Sequence, residues 1–189
     1  MEGNNPQSLP SDIIRDITPY KDLLIIATQN GVCLFNPANG QCRQLFKDSK
    51  EGKSIKMVAD VVFDSEGTLW IAATGEGVFS YRFDTRKLTN YRHDAANPNS
   101  LSNNNVNNIT QDSKGNLWFS TSGSGLDLYR PETNDFENFD KGKNGLASDC
   151  IYETQESPTS GKLLLITNEG FSIFDYRNKD FNNSSAENG

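Results

Sequence analysis

Long hydrophobic runs are missing from these 189 residues. No apolar stretch approaches the roughly 18 residues that crossing a bilayer needs, so no membrane-spanning helix and no membrane contact are expected. Histidine occurs once and cysteine three times. Cys33, Cys42 and Cys150 lack CxxC spacing and a neighbouring histidine cluster, which leaves the usual zinc arrangements short of ligands; no metal or other cofactor is expected. Positive charge is the minority sign. With 18 basic against 25 acidic residues the net charge is -7, which opposes a sequence-independent grip on phosphate backbones and makes nucleic acid an unexpected partner. Amphipathic helical spacing is also lacking, since no stretch keeps apolar residues three and four apart over ten or more positions. The opening Met1-Glu2-Gly3-Asn4-Asn5-Pro6 carries neither the basic nor the apolar region of a secretory signal.

What the chain does have is a repeat. Asp64-Ser65-Glu66-Gly67-Thr68-Leu69-Trp70-Ile71 returns 48 residues later as Asp112-Ser113-Lys114-Gly115-Asn116-Leu117-Trp118-Phe119. Degenerate copies flank the pair, Leu23 to Phe35 before it and Leu163 to Phe174 after it. The glycines that anchor the four copies, Gly31, Gly77, Gly125 and Gly170, are spaced by 46, 48 and 45 residues. Each copy reads as four short strands. In the third, Val106 to Gln111 and Leu117 to Thr121 flank a tight Asp-x-x-Gly turn, and Leu126 to Tyr129 and Phe136 to Phe139 follow. A four-stranded antiparallel unit of this period is a propeller blade, for which roughly 40 to 50 residues is usual. The fold class expected is therefore all-β: a β-propeller of about four blades, partial or small, at 9–46, 55–91, 101–139 and 146–181, after a lead-in over 1–8 and before a loose polar tail over 182–189.

Blades pack face to face, so their middle strands are covered on both sides, which explains apolar runs such as Leu23-Leu24-Ile25-Ile26. Trp70 and Trp118 occupy equivalent strand positions and are expected in the core; a sugar-stacking platform is the competing reading. Cys33 and Cys42 flank the turn Asn36-Pro37-Ala38-Asn39-Gly40 on neighbouring strands. They could bond in an oxidising compartment, but the odd cysteine count and the usual burial of free cysteine favour two unbonded strand residues.

Leu101-Ser102-Asn103-Asn104-Asn105-Val106, then the Asp112 turn with Leu117-Trp118-Phe119, then Gly125-Leu126 and Tyr129 together resemble the two-component regulator propeller repeat. That family occurs in the extracytoplasmic sensor region of hybrid two-component systems in gut Bacteroidetes-type bacteria. The resemblance runs over roughly 9–181. It implies a periplasmic, ligand-sensing piece of a sensor histidine kinase responding to glycans or their breakdown products, with the kinase module outside this chain and no catalysis within it. Family propellers close with about seven blades, so four blades imply two open apolar faces, covered by further blades of the parent or by a second copy of the chain.

The rim formed by the loops between blades and between second and third strands is where propellers usually bind. Glu76, Arg92, His93, Asn103, Asn104, Asn105, Ser124 and Asp149 are the candidate ligand residues there, their amides and hydroxyls suiting an oligosaccharide. Turn-forming Asn and Ser account for much of the same pattern without a ligand. Two alternatives differ in class. One is a protein-interaction scaffold; the other is an enzyme similar to streptogramin lyases, propellers that use a histidine and acidic residues with a divalent metal, for which His93 would need a carboxylate cluster beside it.

Overall fold

The computed structural model describes residues 8–185, so the lead-in through residue 7 and the tail from residue 186 lie outside the described residues. The chain divides at Asn90/Tyr91 into two compact units. The first unit holds two antiparallel sheets in simple meander order. One is β1 (Ile14–Tyr20), β2 (Leu23–Thr28), β3 (Gly31–Asn36) and β4 (Gln41–Gln44). The other is β5 (Val58–Phe63), β6 (Thr68–Ala73), β7 (Gly77–Arg82) and β8 (Lys87–Tyr91). The second unit repeats the plan with β9 (Val106–Gln111), β10 (Leu117–Thr121), β11 (Leu126–Arg130) and β12 (Asp135–Phe139), then β13 (Ile151–Glu156), β14 (Leu163–Thr167), β15 (Gly170–Asp175) and β16 (Asp180–Ser184). Among the described residues, helix is confined to a single turn at Gly52–Ser54 and to α1, Lys141–Asn144.

All four sheets break register at one place. The first strand slips between Ile14 and Asp16, between Val58 and Asp60, opposite Ser120 and Thr121 between Val106 and Asn108, and between Ile151 and Glu153. A bulge re-aims the residue that follows it. Asp16 accepts the backbone N–H of Val61 at 3.2 Å, and Asn108 accepts that of Thr154 at 2.9 Å. Within each unit the bulged strand of one sheet is thus tied to the first strand of the next.

The apolar faces meet inside each unit. Ile25, Ala27 and Val32 of the first sheet pack against Val58, Val61, Leu69, Ile71 and Phe79 of the second. In the second unit Trp118, Leu126 and Phe139 pack against Ile151, Leu163, Leu165 and Phe174. Trp70 and Trp118 are both buried, at 3% and 1% exposure. Gly125 and Gly170 have φ of +82° and +111°, and a Cβ at either would collide with the carbonyl of Phe139 or of Ser184. A backbone approaches too closely there for any side chain.

Two expectations change. Cys33 and Cys42 are joined in a disulfide, with Cα atoms 6.0 Å apart. Cys33 pairs with Gln44 and Cys42 with Phe35 across the β3–β4 hairpin, so the two side chains are diagonal neighbours on one face and within bonding reach. The loose tail also starts later than expected: Asn182, Asn183 and Ser184 belong to β16, paired to β15. Asn183 fixes this polar edge strand by accepting from Ser172 Oγ at 2.6 Å and donating to the Gly145 carbonyl at 2.8 Å. Backbone pairing and these two bonds hold a segment whose side chains carry little strand propensity.

Candidate functional site

The second unit carries a groove of about 390 Å³ lined by the loop from His93 to Ser100, by Ser102, Gly123 and Ser124, by Asn138 of β12, and by Asp140, Lys143 and Asp149 around α1. The loop is cross-linked by hydrogen bonds from its own short side chains. Asp94 accepts the backbone N–H of Ala96 at 2.9 Å, Ser100 Oγ accepts that of Asp94 at 2.9 Å, and Asn97 accepts that of Asn99 at 3.1 Å. These are the side-chain-to-backbone turns that Asn, Asp and Ser favour. On the opposite wall Asp140 caps α1 by accepting from Lys143 N–H at 2.7 Å, and Asp149 accepts from Lys141 N–H at 2.6 Å.

His93 Nδ1 lies 3.0 Å from the Leu101 carbonyl. A carbonyl only accepts, so Nδ1 carries the hydrogen of this bond. Asp127, fully buried, takes bonds from two lining residues. Its Oδ2 accepts Ser102 N–H at 3.0 Å and Ser102 Oγ–H at 2.8 Å, and its Oδ1 accepts from Asn138 at 3.2 Å. Burial pushes the Asp127 carboxyl up to about 6, against the opposing pull of the bonds from Ser102 and Asn138 and of the His93 charge.

The expected rim residues separate. His93, Ser124 and Asp149 line the groove together. Asn103 and Asn104 instead hold lining residues in place: Asn103 donates to Ser124 Oγ at 3.2 Å, and Asn104 Oδ1 accepts His93 N–H at 2.8 Å. Asn105 gives its backbone N–H to Asn103 at 2.9 Å, and Arg92 is exposed outside the lining set. Glu76 belongs to the first unit, in the β6–β7 turn. Asn138 and the buried Asp127 are not among the residues that the sequence singles out. An Asp on a strand alternating with Leu126 and Leu128 reads as a solvent-facing residue, but Ser102 and Asn138 close over it with hydrogen bonds. Among the described residues no group of three or more His, Cys, Asp or Glu is placed to hold a metal ion.

Residues 100–123, the stretch that supplies Ser100, Ser102 and Gly123 to this groove, match the family model described as two component regulator propeller. Residues 100–123 are thus similar to a two-component regulator propeller repeat. The chain resembles the extracellular domain of the candidate hybrid two component system BT3049 from B. thetaiotaomicron, with a TM-score of 0.83 at 23% identity over 95% of this chain and 25% of that one. It also resembles an auxiliary nutrient binding protein from Bacteroides thetaiotaomicron (TM-score 0.62, 10% identity, 90% of this chain and 40% of that one). A third likeness is to PorZ, a surface component of the type-IX secretion system of Porphyromonas gingivalis (TM-score 0.58, 15% identity, 85% and 24%). At these identities the likeness is one of fold, that of the β-propeller. The chain spans a quarter of the length of the first of these structures. No curated protein matches the sequence.

Proposed function

We propose that this chain is a stretch of propeller blades from the extracytoplasmic sensor region of a two-component system, and that its groove takes a neutral, hydroxyl-rich ligand such as an oligosaccharide without transforming it. The observation that carries this reading is the groove itself. The propeller repeat matched at residues 100–123 builds one side of it, and the lining alternates donors and acceptors at Asn97, Ser100, Ser124 and Asn138 in the manner that sugar hydroxyls require. The two cations beside it are largely neutralised in place, with Lys143 Nζ 3.2 Å from Asp140 and Lys141 Nζ 2.8 Å from Glu169. Neutral polar ligands suit such a surface better than anions do.

The periplasm as the compartment is supported by the Cys33–Cys42 bond. A longer parent is supported by the outer face of the fourth sheet, where Leu164, Ile166 and Phe171 are 37%, 43% and 40% exposed. Leu164 and Ile166 alternate along β14 with Leu163 and Leu165, which pack on the third sheet, so this face suits a further blade. Calorimetric titration with neutral oligosaccharides tests the ligand reading. Heat with one of them, weakened about tenfold or more in Asn97→Ala, supports it; silence across a panel of neutral glycans rejects it.

A further inference from the structure

The first unit contains a second groove, of about 400 Å³, lined by Arg43 and Gln44 of β4, Leu45, Phe46, Tyr81 of β7, Phe83 and Arg86. It brings two guanidiniums together in a chain with a seven-charge excess of acid. Arg82 is paired with Asp84 at 3.0 Å and Arg130 with Asp135 at 2.7 Å. Among the described residues, neither the Arg43 nor the Arg86 side chain has a hydrogen bond, an ion pair or an aromatic ring beneath it. Asp84, the acid nearest Arg86 in sequence, is already taken by Arg82 through both Nε and Nη2.

The groove's aromatic side is fixed in advance. Tyr81 meets Phe46 edge to face at 4.8 Å between ring centroids and Phe83 at 4.9 Å. Phe46 has φ of +63°, a backbone state that a bulky residue holds only when its surroundings impose it. The turn after it does so: Ser49 N–H donates to the Phe46 carbonyl at 3.1 Å, Gly52 N–H donates to Ser49 Oγ at 2.8 Å, and Gly52 sits so close to Phe46 that a Cβ there would collide with it. Arg86 also has positive φ, at +57°, as the left-handed residue of the β7–β8 turn; Asn134 and Lys179 hold that conformation in the matching turns of the third and fourth sheets.

We propose that this groove is a binding site for a carboxylate-bearing sugar, a uronate, with Arg43 and Arg86 on the carboxylate and the sugar ring against Tyr81 and Phe46. Two unpaired forks of donors match a planar carboxylate bidentately. Aromatic rings offer the apolar C–H face of a pyranose a surface, and the Tyr81 hydroxyl, which makes no hydrogen bond among the described residues, is available to a ring hydroxyl. The site rests on observations separate from those behind the groove of the second unit and does not depend on that reading.

Titrating the whole chain with trigalacturonate, with its fully methyl-esterified form and with sodium sulfate tests the proposal. Trigalacturonate is expected to bind, about 10- to 100-fold more tightly than the methyl ester, with affinity falling by a similar factor in Arg43→Gln and again in Arg86→Gln. Both arginines are exposed, so matching melting curves for variant and wild type will show that folding is intact. Absence of trigalacturonate binding, equal binding of the ester, undiminished binding by the double arginine variant, or displacement by sulfate at concentrations equal to those of the sugar would each overturn it.

Discussion

Trp118 and Asp112 are joined by a hydrogen bond of 3.0 Å from the indole Nε1 to Oδ2, and Trp70 repeats the contact with Asp64 at 2.8 Å. The repeated Asp-x-x-Gly-x-Leu-Trp motif is thereby explained as one device. Oδ1 of Asp112 accepts the backbone N–H groups of Lys114 and Asn116 at 3.0 and 2.9 Å, closing the turn. Oδ2 takes the Asn116 amide at 2.8 Å and satisfies the one polar atom of a buried indole. Asp112→Ala is expected to destabilise by about 2–4 kcal/mol in urea denaturation, because it leaves the buried Trp118 N–H without a partner as well as opening the turn. If Asp112→Ala costs no more than a surface substitution, the indole bond has no structural weight.

Truncation of the tryptophan separates packing from that bond. Trp118 touches Phe139, Phe174 and Tyr176 at centroid distances of 6.1, 5.8 and 5.7 Å, so Trp118→Ala should cost about 3–5 kcal/mol. Leu164 stands at the corresponding place in the fourth sheet but is 37% exposed, so Leu164→Ala should cost about 1 kcal/mol or less. Equal costs in thermal or chemical denaturation would mean that the two faces are equally covered in solution.

The disulfide closes a loop with a sequence separation of 9. Chain entropy assigns a loop of that size about 2–3 kcal/mol, so reduction, or the Cys33→Ser/Cys42→Ser pair, should lower the melting temperature of the chain by several degrees. An identical melting curve in the presence of a reductant would show that the bond constrains nothing.

Much of this fold is legible in the sequence because the same physics is written four times. The strands of the third blade fall where turn residues and β-branched or aromatic runs put them, and Gly125 is required by a carbonyl that leaves no room for a Cβ. Features set by single long-range encounters are not legible. Nothing in the polar string Asn182-Asn183-Ser184 announces a strand; the exposed edge of β15 makes it one. Cys33 and Cys42 read from the sequence as unbonded strand residues, and only their hairpin register places them within bonding reach. The asparagines at 103, 104 and 105 look like ligand donors, yet much of their hydrogen-bonding capacity goes to Ser124, to His93 and to one another. Arg43 and Arg86 lie far apart in sequence, and only the approach of the two sheets in the first unit brings them into one groove.

Asp127 makes the stability of the chain depend on pH in a defined direction. Its carboxyl titrates near 6 in the folded protein and near 3.9 in an unfolded chain, so between those values the folded state holds more protons than the unfolded one. Stability from this group therefore falls as pH rises from about 4 to 6 and is level above that, by roughly 3 kcal/mol at about 1.4 kcal/mol per pK unit. The other charged side chains around the groove above it are His93, Asp94, Asp140, Lys143 and Asp149; His93 opposes the rise and is the one that would shift the profile if removed. Asp127→Asn cannot ionise and nearly matches the native shape, so its melting temperature should lose the component that declines between pH 4 and 6, and a His93→Ala background should move the midpoint of the remaining decline upward in proteins that keep Asp127. A wild-type profile that coincides with that of Asp127→Asn across this range would place the Asp127 titration at its ordinary value and remove the electrostatic cost assigned to its burial.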